Sequence, residues 1–277
     1  MIRKLLQKMP SPFGLPQRRR TTPSVIPASQ HQVRRERLSR HAVSVVEKLQ
    51  QAGFDAFLVG GCVRDLLLDI TPKDFDVATS ATPEQVRATF RNARLIGRRF
   101  KLVHVHFGRE IIEVATFRAN HEAQASEEQS RQSESGRLLR DNVYGTFEQD
   151  AQRRDFTINA LYFDVTTGQI HDFAHGIHDI RNRLIRLIGH PEQRYQEDPV
   201  RMLRAIRFAA KLDFEIEPHT AAPIETLAPL LHDIPAARLF DESLKLLMSG
   251  QGKATFDLLY QYDLIAPLFP DTDEAIL

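Results

Sequence analysis

Residues 54–86, FDAFLVGGCVRDLLLDITPKDFDVATSATPEQV, read in succession as a strand, a double-glycine turn, a short helix, a second strand and a capped helix. "FDAFLV" is a short apolar run that stops at Gly60 and Gly61, residues that let the backbone turn sharply. "CVRDLLLD" then has helical spacing, and "DFDVAT" returns to strand chemistry. Thr82 followed by Pro83 marks a helix start, an N-cap and then a residue preset for the first turn.

On the N-terminal side, Leu38, Val43, Val46 and Leu49 repeat at helical spacing up to Gly53. On the C-terminal side, "FKLVHVHF" and "EIIEVATF" are two further strands. This order predicts an α+β fold, a small mixed β-sheet covered by helices on one face. Residues 119–136 have almost no large apolar side chain and are expected to form a mobile loop. From Asp150 the pattern is mostly helical, with one strand pair, "TINALYFDV" and "QIHDF", before long helices such as "DPVRMLRAIRFAAKL". The expected organisation is a head over 38–170 and an all-helical neck and body over 171–277.

The 277 residues, 42% hydrophobic and 26% charged, are enough for one large domain or two modest ones. A single cysteine, Cys62, excludes a disulfide framework, and no apolar run is long enough to span a bilayer. A cytoplasmic protein without a membrane partner is the expectation. The net charge of +1 conceals an asymmetry: residues 1–40 hold ten Lys or Arg against one acid. Residues 1–37 therefore read as a disordered basic arm, open to three explanations: a solvated tail, an arm that attracts nucleic acid, or an organellar presequence.

Asp74 and Asp76 are the informative acids. On a strand, residues i and i+2 share a face, which sets the two carboxylates side by side and turns Phe75 and Val77 toward the core. Like charges so placed repel until a divalent cation lies between them, the way hard, oxygen-seeking Mg²⁺ is held. A DxD alone is a weak signal, since two nearby cations or a solvated strand end would also accommodate it. Fourteen residues earlier, Gly60 and Gly61 open a helix whose first N–H groups suit phosphate oxygens, and Arg64 can add a charged fork. Glu113 alternates with Ile112 and Val114 on another strand, a third candidate metal ligand. Three carboxylates beside a glycine turn describe a two-metal phosphoryl-transfer site.

"LVGGCVRDLLL" with "KDFDVATSATPEQV" resembles the head signature of the nucleotidyltransferase superfamily branch that holds bacterial poly(A) polymerases and CCA-adding tRNA nucleotidyltransferases. "RRDFTINALYFD" (153–164), "DFAHGIHDI" (172–180), "EDPVRMLRAIRFAAKL" (197–212) and "ARLFDESLKLL" (237–247) resemble its remaining motifs, in order. The resemblance implies a nucleotidyltransferase head in which Asp74 and Asp76 bind two catalytic Mg²⁺ ions, Mn²⁺ being an alternative. It implies that Asp155 is a functional acid near the nucleotide sugar, with Arg154 and Arg153 beside the phosphates. It implies that Asp198 and Arg201 hydrogen-bond the nucleobase. Read as residues, Asp198 and Arg201 stand i and i+3 on one helix face, where an acceptor and a planar donor fork could act together. Arg201, Arg204 and Arg207 form a basic stripe opposite Leu203, Ile206 and Ala210; a solvated helix face is the plainer reading of it.

"GRRFKLVHV" (97–105) resembles the poly(A) polymerase version of its segment, where CCA-adding enzymes usually carry an "HGT"-like stretch. The expected activity is template-independent addition of AMP from ATP to RNA 3′ ends, with little sequence specificity. The alternatives are complete or partial CCA addition to tRNA, and a non-catalytic RNA-binding protein on the same fold. The chain departs from the family at His175, where a glycine is usual, and at Cys62, and the resemblance implies a further helical region beyond Leu277. His104 with His106, and His171, His175 and His178, have spacings that suggest zinc, but no cysteine accompanies them. Cys62 reads as a packed side chain rather than a nucleophile. Arg238 and Glu242, at i and i+4, read as a helix-surface ion pair or as an element that orients the nucleobase-reading region.

Overall fold

A computed structural model describes residues 22–97, 101–119, 130–132, 138–141 and 144–269. The head contains β1 (Ser24–Ile26), α1 (Arg40–Gln51), β2 (Ala56–Val59), α2 (Gly61–Leu67), β3 (Asp76–Thr79), α3 (Pro83–Thr89), β4 (Ala93–Ile96), β5 (Leu102–Phe107) and β6 (Glu110–Thr116). It continues with β7 (Ser130–Gln132), β8 (Leu138–Asp141), α4 (Phe147–Arg153), β9 (Leu161–Phe163) and β10 (Ile170–Asp172). Then follow α5 (Gly176–Arg181), β11 (Leu184–Ile185), α6 (Pro191–Glu197), α7 (Val200–Leu212), β12 (Glu215–Ile216), α8 (Pro218–Ala221) and α9 (Ile224–Leu227). The described chain finishes with α10 (Ala236–Leu247), α11 (Gly252–Gln261) and α12 (Ile265–Leu268).

One eight-stranded sheet runs β1-β10-β9-β2-β3-β6-β5-β4. Every pairing in it is antiparallel except β3 with β6, so the sheet is mixed as the sequence leads one to expect. The register Val59–Asp76–Glu113–His104 crosses its centre. Helices α1 and α3 cover one face, where Val46, Leu49, Val77, Val105 and Ile112 are sealed from solvent. Ser39 caps α1 by accepting from the Ala42 N–H, and Thr82 and Gln85 close a capping box on α3.

The opposite face is covered in part as well, by α4. Phe147 stacks on Phe57 with ring centroids 4.5 Å apart, and Phe117 and Tyr162 complete an aromatic patch. All four residues of β2 are buried, because helices lie on both sides of it.

Two strands of this sheet were missed by the alternation of apolar residues, and the parallel ladder of β11 with β12 stands in the neck and body that were expected to be all helical. β4 is exposed at three of its four residues and shows no alternation, and β1 falls in the stretch assigned to the disordered arm. Residues 22–37 are in fact fastened to the head: β1 pairs with β10, His31 Nε2 bonds the Gly168 carbonyl at 2.8 Å, and Arg35 donates to Val165 O at 2.9 Å. Residues 1–21 lie outside the described residues, as does most of the expected loop at 119–136; β7 falls within that loop and pairs with β8 just beyond it.

The sheet ends at Asp172, whose carboxylate accepts the N–H groups of Ala174, Gly176 and Ile177 and so starts α5. The apolar core does not stop there. It continues from the sheet through Phe156 and Ile185 into Leu203, Ile206, Leu246 and Leu259 of the helical part.

Candidate functional site

Asp76 is the first residue of β3, and Glu113 is its partner across the parallel pair. Asp74 lies two residues earlier, in the loop that enters the strand, and it lines the same cleft as Asp76. Asp76 lines two clefts, one of about 470 Å³ shared with Asp74 and one of about 350 Å³ shared with Glu113. Although its side chain opens to these clefts, surrounding protein pushes the Asp76 carboxyl up to about 6. Glu113 and Asp74 push the same way, and Arg154 opposes them. Among the described residues no three His, Cys, Asp or Glu side chains converge as a closed metal-binding group. Glu113 instead lies 3.4 Å from His104 Nε2, on the far side of Asp76. The donors are nonetheless hard carboxylate oxygens under mutual repulsion, a set that fits divalent magnesium or manganese.

The glycine turn is built as expected. Gly60 has φ 79° and ψ −129°, a conformation closed to residues with a Cβ, and it caps α2. Arg64 does not extend a free fork. Its guanidinium is buried, bonded to Asp65 Oδ1 at 2.6 and 2.8 Å and to Asn159 Oδ1 at 2.6 Å, so it stiffens the cleft wall. Arg154 is held by Asp150 and by the Tyr162 hydroxyl, 2.8 Å from its Nε, while its Nη1 faces Gly60.

Asp155 is saturated with donors. Its Oδ2 accepts from Arg204 Nε at 2.8 Å and Nη2 at 2.5 Å, and its Oδ1 from the Phe156 N–H and Asn159. Burial alone would raise this carboxyl, but the Arg204 charge and these hydrogen bonds outweigh it and hold it near 2.

Asp198 and Arg201 depart from expectation. Asp198 is not on the helix; it ends α6 in extended conformation and accepts from Arg238 Nη2 at 2.8 Å. Arg201 is buried and donates to Arg194 O and Glu197 Oε2. Neither residue lines the 470 Å³ cleft. Pro199 between them breaks the helical register that i, i+3 spacing assumed. Arg238 accordingly pairs with Asp198 rather than with Glu242, which bonds Lys245.

The face of α7 that lines the cleft carries Arg204, Arg207, Phe208 and Lys211. Arg64, Arg204 and Arg207 lie over the Phe208 ring at 5.2, 5.4 and 4.8 Å. Reading the sequence for site residues missed Lys73, Asp65, Asn159, Phe208, Lys211 and Lys245, all on the cleft wall. The period of α7 could have found Phe208 and Lys211, which follow Arg204 at i+4 and i+7. Asn159 is bound to Arg64 across 95 residues, and no local signal reveals that.

The remaining candidates have structural places. Cys62 is buried, and burial first, with the Asp76 charge, pushes its thiol up to about 12. His171 sits in the aromatic patch beside Phe57 and Phe147. Arg98 and Arg99 lie outside the described residues.

Residues 56–186 match the family model described as "Poly A polymerase head domain", and residues 213–276 match "Probable RNA and SrmB- binding site of polymerase A". The chain is 59% identical over 248 residues to "Poly(A) polymerase I" of Escherichia coli O6:H1, covering 89% of this chain and 53% of that protein. It is 59% identical over 255 residues to the protein of the same name from Haemophilus influenzae, covering 92% and 56%. Among solved structures, a CCA-adding enzyme of Bacillus stearothermophilus in complex with CTP superposes with a TM-score of 0.70 at 36% identity, covering 82% of this chain and 53% of that one. The chain thus spans about half the length of the curated relatives it matches.

Proposed function

The chain belongs to the poly(A) polymerase family through its head domain, and from that premise we propose that it transfers AMP from ATP to an RNA 3′-hydroxyl and releases pyrophosphate. The observation that carries the reading is the position of Asp76 on the ridge between two clefts. The larger cleft is rich in arginine and lysine and suits a triphosphate; the smaller one, beyond Asp76, suits the approaching RNA end. In this reading Asp74 and Asp76, with Glu113 from the far side, would hold Mg²⁺ or Mn²⁺. The bound metal supplies activation of the hydroxyl and charge neutralisation at the phosphorus.

The protein's own part is positioning. Gly60 and Gly61 let the backbone come close to phosphate oxygens, and Arg154 is held rigid beside them by Asp150 and Tyr162. Asp155, pinned by Arg204, fixes the α7 face against the head and is the acid placed for the nucleotide sugar. For reading of the base, Asp198 keeps an Oδ1 that has no hydrogen-bond partner while its Oδ2 holds Arg238, and Arg201 would turn from Arg194 O and Glu197, which its Nη1 now engages. Adenine as the base is supported by 59% identity to poly(A) polymerases against 36% to the CCA-adding structure.

Purified protein is incubated with Mg²⁺, ATP or CTP, and either a labelled tRNA lacking its 3′ end or an unrelated oligonucleotide. Long tails from ATP alone on both RNAs are the expected result. CTP-dependent addition confined to the tRNA overturns it.

A further inference from the structure

Two histidines of β5, His104 and His106, have no part in the reading so far. Val103 and Val105 are sealed in the core beneath α1 and α3, which turns the histidines to the opposite face of the sheet. That is the face of Asp76 and Glu113, since Val77, Ile112 and Val114 are likewise in the core. His104 is the direct cross-strand partner of Glu113, which in turn pairs with Asp76. Its Nε2 stands 3.4 Å from Glu113 Oε2, and among the described residues Glu113 has no other ion-pair partner. Neither histidine lines the clefts beside Asp76, so neither is placed to touch substrate. The strand behind Glu113 is anchored: Ser39 and His41 at the start of α1 engage Glu110, and the His41 ring stacks on Phe107 with centroids 4.4 Å apart. With the backbone fixed, the direction of the Glu113 carboxylate depends on its side-chain torsions. His104 is the side chain that limits them, with His106 edge-on to its ring at 6.3 Å.

We propose that His104 is a positioning residue for the metal: from behind Glu113 its Nε2–H donates to Oε2 and leaves Oε1 turned toward Asp76 to bind the cation. The inference rests on the reading of Glu113 as a metal ligand. A carboxylate bonded at one oxygen is oriented and less free to swing away, and outer contacts of this kind are worth roughly 10–100-fold in metal affinity. Glutamate needs the restraint more than aspartate does, because its additional torsion must be fixed when it binds.

Binding of Mn²⁺ to the whole chain tests the role, read at one pH from the electron paramagnetic resonance of the free ion, without nucleotide or RNA. His104→Phe keeps the bulk of the ring and removes the donor, whereas His104→Gln keeps a donor at nearly the same reach. The expected result is a loss of roughly tenfold or more in Mn²⁺ affinity for His104→Phe, largely restored in His104→Gln, at an unchanged melting temperature. In the Glu113→Gln background, where the affinity is already reduced, His104→Phe should cost nothing further. If the phenylalanine variant does not fold, His104→Asn, whose amide is too short to reach Glu113, takes its place. Unchanged Mn²⁺ affinity without the donor, a loss that His104→Gln does not restore, or the same loss again in the Glu113→Gln background overturns the role. Protein that shows the coupled loss yet transfers no AMP to RNA supports the role of His104 and refutes the proposed activity, so the two readings fail separately.

Discussion

Asp76 is crowded before any ligand arrives, with its carboxyl raised to about 6 by enclosure and by Glu113 and Asp74. Replacing it with asparagine relieves that repulsion, so the Asp76→Asn protein should melt no lower than wild type while AMP incorporation falls roughly a thousandfold or more. A variant that keeps near-normal incorporation would remove Asp76 from the chemistry. Asp155 is the opposite case, a carboxyl held near 2 against an ordinary value of 3.8. Its folded pKa is depressed, so the pairing with Arg204 contributes stability above about pH 4 and loses it as pH falls toward 2. The contribution is on the order of 2 kcal/mol. Urea unfolding of wild type and Asp155→Asn at a series of pH values should show a gap near pH 5 that narrows steadily toward pH 2; a gap that stays constant contradicts the assignment.

At the scale of single elements, α5 carries a visible strain. His175, its N-cap, adopts φ 61° and ψ 30°, the left-handed region that costs a residue with a Cβ about 1 kcal/mol or more. His175→Gly should therefore raise stability by about 0.5–1 kcal/mol, less whatever the freer unfolded chain gives back, as read from the melting temperature. Its neighbour cannot change: a Cβ on Gly176 would stand 2.2 Å from the Thr157 carbonyl oxygen. Elements with strong local signals were legible. Helix α3 begins at Pro83 behind Thr82, and α1 ends before Gly53, as capping chemistry requires. What the sequence hid depends on partners far away in it. β1 exists because β10 offers an edge, Arg64 is buried because Asn159 meets it, and Asp198 leaves its helix because Pro199 follows. The acids of the site could be named from local pattern, but whether each arginine beside them was free or already engaged could not.

Across the whole molecule, head and body are joined at the segment that carries Arg154 and Asp155. Arg194 of α6 donates through one nitrogen to the carbonyl oxygens of Arg153 and Arg154, at 2.6 and 2.7 Å, and Arg204 of α7 grips Asp155. The side chain of Arg194 is 11% exposed, so its loss would leave two carbonyls poorly satisfied. Arg194→Ala should cost about 2–3 kcal/mol of stability and reduce kcat, since Asp155 then loses the backbone anchor on its N-terminal side. Wild-type kcat in a destabilised protein would show that the seam serves folding alone.

The single parallel pairing in the sheet also has a kinetic side. Asp76 and Glu113 are 37 residues apart, and α3, β4 and β5 lie in the chain between β3 and the β6 that pairs with it. Such a long chain excursion is among the slower contacts to form. The face that holds the acids depends on that closure, and detachment of the β5–β6 hairpin as a unit from β3 would part Glu113 from Asp76 while the cationic cleft stayed intact.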